Sequence, residues 1–171
     1  MNKIIIERYK SLFDKYFSII SNCSLSKFIF IQLIIIIGFS ITFKSILHFL
    51  SISIESNTFV TLFDNKPMFV KFILFIIMGP FLETIIFQYL PYQILANLLK
   101  GRNKKIIIII ISALLFSFTH WYGIFYFLYA LVIGLILMFS YLSRLEKGDS
   151  FQAILIIHTL FNCIVFLERL V

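Results

Sequence analysis

An all-α bundle of about five membrane spans, preceded by an interfacial helix, is the fold that the sequence predicts, and three observations carry it. The residues are 61% hydrophobic and only 13% charged, with a mean hydropathy of +1.02, a composition of integral membrane proteins rather than of water-soluble domains. The apolar residues come in unbroken runs close to the roughly 20 residues needed to cross a bilayer. Between the runs lie short stretches rich in Lys, Arg, Asn, Ser and Gly, which punctuate them as loops.

Residues 1–27 carry Lys3, Arg8, Lys10, Lys15 and Lys27 among Ile, Leu and Phe, the mixture of an amphipathic helix lying in the membrane interface. Residues 28–171 form the bundle, with a core at about 69–168. The first span is expected from Phe28 to Leu50, with Lys44 and His48 near its far end. This run is longer than a signal-peptide core and has no small-residue cleavage site after it, so it reads as retained. A polar loop follows over 51–68. The second span, about Phe69 to Leu95, is interrupted by Gly79-Pro80 and by Pro91. These breaks should kink it and free backbone groups that must find partners inside the bundle. A basic loop from Lys100 to Lys105 precedes the third span, Ile106 to about His120, and Trp121-Tyr122-Gly123 makes a tight interfacial connection. The fourth span is about Ile124 to Leu142, and the fifth, after a loop over Ser143 to Ser150, is about Phe151 to Leu167.

Eleven Lys and Arg fall on the side of the N-terminal segment and three (Lys66, Lys71, Arg169) on the other. The asymmetry predicts a cytoplasmic N-terminus and a basic face that attracts anionic lipid. The basic loop has no interleaved aromatics, and no phosphate-binding loop occurs, so nucleic acid and nucleotides are not expected as partners. Cys23 and Cys163 stand in unrelated contexts and form no disulfide framework. Richness in Ile, Phe and Lys suits an AT-rich bacterial genome and hence a bacterial plasma membrane.

Within the apolar runs stand Glu83, His120, His158 and Asn162. An ionisable group in hydrocarbon costs about 2.5–3.5 kcal/mol on insertion scales, so such residues point to a functional site. Phe116 and His120 share one helix face, as do His158 and Asn162, each pair being four apart. Three helices can therefore aim polar groups at one cavity. Glu83 is the candidate base that activates a water. His120 would orient that water or shuttle its proton, and His158 and Asn162 would donate to the oxyanion. A second reading makes Glu83, His120 and His158 the ligands of a catalytic zinc. With no His-Glu-x-x-His helix to support it, the metal-independent mechanism is preferred. His48, with no motif around it, reads as interfacial.

The order of these motifs resembles that of the CPBP family, the CAAX-protease and bacteriocin-processing intramembrane proteases. That family reads Glu-Glu-x-x-x-Arg on one helix, Phe-x-x-x-His on the next and His-x-x-x-Asn or Asp on a later one. Glu83 matches the first Glu, Phe116 and His120 the second motif, and His158 and Asn162 the third, over roughly residues 70–165. The resemblance implies an intramembrane endopeptidase acting on a membrane-associated peptide or protein. Thr84 and Gln88 stand where the family has its second Glu and its Arg. Being four apart, they are expected to replace an ion pair with a neutral hydrogen-bonding pair that supports the site from outside the cavity. Two other functions compete. One is a non-catalytic self-immunity protein of the same fold that binds its target. The other is a small proton-coupled transporter subunit, against which the lack of inverted repeats argues.

Overall fold

The computed structural model describes residues 15, 17–52, 65–101 and 103–168. Most of the expected interfacial helix, its residues 1–14 and 16, lies outside the described residues, as do 53–64 of the polar loop, Arg102 and 169–171. Five long helices follow one another, and no strand occurs among the described residues. They are α1 (Leu25–Phe49), α2 (Met68–Leu98), α3 (Lys104–Thr119), α4 (Ile124–Ser143) and α5 (Ser150–Glu168).

Four of these, α1, α2, α4 and α5, are long and apolar enough to cross a membrane. The expected third span, α3, has 16 residues and therefore reaches about 24 Å, short of the roughly 30 Å of a hydrocarbon core. It starts after the basic loop and stops at the aromatic turn, where Gly123 at φ 126° supplies a conformation disfavoured for any residue with a Cβ. Phe30, Phe69, Leu98 and Phe118 remain exposed on the outside of the bundle. An apolar exterior around an apolar core is the pattern of a protein whose solvent is lipid.

The tightest approach is between α3 and α4, which run side by side from the aromatic turn. A Cβ on Gly134 would stand 3.0 Å from the Cα of Ala113 and 3.2 Å from Cδ1 of Phe116, so only glycine lets the two backbones come this close. The core gathers Phe28 and Ile36 of α1, Leu137 and Met138 of α4 and Ile154 and Ile157 of α5. At the end where α1 begins, buried Arg144 forms an ion pair with Asp149 and donates to the carbonyl of Cys23 at 2.8 Å, tying the turn after α4 to the start of α1. At the opposite end Lys44 of α1 meets Glu168 of α5 at 2.6 Å.

The two breaks in α2 become wide turns rather than ends. Ile73–Met78, just before Gly79-Pro80, and Ile85–Tyr89, just before Leu90-Pro91, are π-helical. Proline has no N–H and its ring crowds the carbonyl one turn back, and a π turn makes room for it. Each turn frees a carbonyl. Gly79 N–H bonds to Leu74 O, so the next carbonyl, Phe75, faces Pro80, which has nothing to donate. Asn162 Nδ2 of α5 donates to it at 3.0 Å. In the second turn Leu90 N–H bonds to Ile85 O, and Ser112 Oγ of α3 donates to the carbonyl of Phe87, which stands four residues before Pro91. The expectation that freed backbone groups find partners within the bundle is thus met by two named side chains on two different helices.

Candidate active site

A cavity of about 490 Å³ opens between α2, α3, α4 and α5. Glu83, Phe116, His120, His158 and Asn162 all line it, whereas Thr84 and Gln88 do not. Glu83 comes from the α-helical turn Gly79–Thr84 between the two π segments, and at the start of that turn a Cβ on Gly79 would press within 3.1 Å of the Leu74 carbonyl oxygen.

One carboxylate oxygen faces both imidazoles. Glu83 Oε2 is 3.3 Å from His158 Nε2 and 4.0 Å from His120 Nε2. His120 Nδ1 is 2.8 Å from the carbonyl oxygen of Phe116. A carbonyl only accepts, so Nδ1 carries the proton, and in the neutral ring Nε2 presents a lone pair. His120 Nε2 and Glu83 Oε2 are then two acceptors 4.0 Å apart, a spacing that one water can bridge by donating a proton to each. His158 is buried, with Nε2 3.3 Å from Glu83 Oε2 and Nδ1 without a partner. The Phe116 ring fixes both imidazoles laterally, with centroids 4.3 Å from His120 and 6.1 Å from His158, and Phe87 closes edge-on against it at 5.5 Å. The amide of Asn162 spends one N–H on Phe75 and keeps a second.

For zinc at about 2.0–2.2 Å from tetrahedral ligands, donor atoms must stand about 3.4 Å apart. The pair Glu83 and His158 meets this, but His120 at 4.0 Å is loose. Among the described residues no group of three His, Cys, Asp or Glu is disposed to hold a metal ion.

Thr84 and Gln88 differ from the expectation of a hydrogen-bonded pair. Both are fully buried, yet Thr84 Oγ1 and both polar atoms of the Gln88 amide have no partner. The segment between them is π-helical, Ile85–Tyr89, and a turn that repeats at five residues does not align side chains four apart as an α-helix does. Spacing in the sequence carries no sign of that wide turn. Lys71 and Gly79, which the sequence marks only as a basic residue outside the basic side and as a helix break, also line the cavity. Tyr126 and Tyr129 border the cavity, with Tyr129 held by Ser40 of α1 at 2.9 Å.

No curated protein and no solved structure matches the chain. A family model does, described as type II CAAX prenyl endopeptidase Rce1-like, and it covers residues 65–164. That stretch is more than half of the chain and runs from the start of α2 almost to the end of α5, carrying every residue of the cavity's polar end. The chain is an integral membrane protein that belongs to the Rce1-like family of type II CAAX prenyl endopeptidases.

Proposed function

We propose that this chain is an intramembrane endopeptidase that hydrolyses a peptide bond of a membrane-associated protein or peptide, with Glu83 as the base. The observation that carries the reading is Glu83 Oε2 set 3.3 Å and 4.0 Å from two imidazole nitrogens inside an apolar cavity. A water bridging Glu83 and His120 gives one proton to the carboxylate while its oxygen attacks the scissile carbonyl carbon. Once Glu83 is neutral, His158 Nε2–H is released from a charged acceptor and, with the second N–H of Asn162, is available to the oxyanion. Collapse of the tetrahedral intermediate breaks the C–N bond, and the proton held by Glu83 goes to the leaving amine. No charge leaves the cavity during the cycle, which suits a site walled by Phe and Leu. Were zinc bound by Glu83, His120 and His158, it would supply Lewis-acid activation of the same water.

The distribution of basic residues supports a cytoplasmic N-terminus with the basic face against anionic lipid, and the richness in Ile, Phe and Lys supports a bacterial plasma membrane. The test is incubation of the purified protein, in liposomes, with a mixture of N-acylated apolar peptides in H₂¹⁸O. Hydrolysis predicts fragments with one ¹⁸O in each new carboxyl group, insensitive to chelator. Intact peptides under all conditions would contradict the enzyme and favour a binder, the reading that the unpartnered Thr84 and Gln88 favour.

A further inference from the structure

The cavity is chemically two-ended. At its deep end stands Glu83, and towards the start of α2 it is bordered by Met68, Lys71, Val165 and Phe166. Among the described residues lining it, Lys71 is the sole Lys or Arg. It is half-buried, on the helical segment Met68–Phe72, and its ammonium has no hydrogen bond or ion pair with a described residue. Its neighbour at that end, Lys44, is by contrast already engaged by Glu168 at 2.6 Å. The stretch between the two ends is walled by Leu74, Phe75 and Phe161.

Resting on the peptidase reading above, we propose that Lys71 is an anion subsite of this cavity and takes a carboxylate of the substrate about five residues from the bond that is cut. Glu83 lies twelve positions beyond Lys71 on α2, about 18 Å at 1.5 Å per residue and a little less through the π turn. An extended peptide advances about 3.3–3.6 Å per residue, so about five residues bridge the two ends. The apolar wall between them selects an apolar segment. A cation beside a low-dielectric channel binds a carboxylate far better than the neutral amide of the same shape. The carboxylate has two sources, a free C-terminus or an acidic side chain.

The test uses three fluorescent, N-palmitoylated peptides with the same apolar sequence: one ending in a free acid, one in an amide, and one in an amide with Glu as its last residue. Binding is measured to the Glu83→Gln protein in phosphatidylcholine liposomes, with and without Lys71→Met, and cleavage by the protein with Glu83 intact is followed by mass. The acid should bind at least about tenfold more tightly than the plain amide, and Lys71→Met should erase the difference while Lys71→Arg keeps it. The Glu-ended amide separates a terminal-carboxylate site from a side-chain site. In cleavage, Lys71→Met should raise KM about tenfold with kcat little changed. Equal binding of acid and amide, or a preference that survives Lys71→Met, would overturn the subsite. So would phosphatidylglycerol displacing all three peptides alike through Lys71, which would make the lysine a headgroup contact. A Lys71-dependent acid preference without any bond cleavage would leave the subsite standing and defeat the peptidase reading instead.

Discussion

Replacing Ser112 with Ala removes the hydroxyl that serves the carbonyl of Phe87, and the cost should depend on Pro91. Ser112 is fully buried, so neither water nor lipid can take over its role. A buried carbonyl stripped of its donor costs about 1–3 kcal/mol, whereas interhelical hydrogen bonds in membranes average about 0.6 kcal/mol with a maximum of about 1.7. The carbonyl lies four residues before Pro91, which has no N–H to give it, and this places Ser112→Ala at the upper end, about 1.5 kcal/mol. Pro91→Ala restores that N–H and lets the π turn relax towards an α turn. In the Pro91→Ala background Ser112→Ala should therefore cost only about 0.5 kcal/mol, a coupling of about 1 kcal/mol. Trp121 is the single tryptophan and stands at the aromatic turn after α3, so its fluorescence during SDS titration in mixed micelles reports unfolding. Equal costs in the two backgrounds would show that the serine serves ordinary packing and not the proline-freed carbonyl.

Gly134→Ala places a methyl 3.0 Å from Ala113 Cα and 3.2 Å from the Phe116 ring. It should destabilise by about 1–3 kcal/mol and lower activity through Phe116, whereas the same change at Gly38, with nothing within 4 Å, should be neutral in the same titration. Gln88→Arg alone should cost about 3–5 kcal/mol by burying an unpaired charge, and because the π turn parts the two positions, adding Thr84→Glu should recover little of that loss. Recovery of most of it in thermal unfolding would show that the two positions face each other after all.

The helical class was legible because lipid imposes one rule, that every backbone group be satisfied within the helix or by a neighbour, and apolar runs of bilayer length announce it. Boundaries moved by a few residues, as when the first span began at Leu25 instead of Phe28. The convergence of Glu83, His120 and His158 on one cavity was legible from the same constraint, since ionisable groups on separate spans escape lipid by facing each other. What spacing could not reveal was the π register of α2. Pro80 and Pro91 announced a disturbance, but not that it would widen the turn, part Thr84 from Gln88, and call on Asn162 and Ser112 as donors. Those two donors depend on partners 87 and 25 residues away in sequence, and no local pattern encodes such a pairing. The engagement of Asn162 with the Phe75 carbonyl, which leaves it one free N–H, was hidden for the same reason.

The central claim is that Glu83 takes a proton from water, and it is tested most directly by turnover of the Glu83→Gln protein in liposomes, on whichever acylated peptide the native protein cleaves. The amide keeps the shape and can face His158 Nε2, which stands 3.3 Å from the carboxylate in the native site, but it cannot accept the proton of water. SDS titration should show stability within about 1 kcal/mol of the native protein, and kcat should fall by roughly 10² to 10⁴. Adding His120→Ala should then lower it little further, because members of one catalytic unit are not additive. A folded Glu83→Gln protein that retains more than about a tenth of native turnover would contradict the account, since a general base contributes at least about 10².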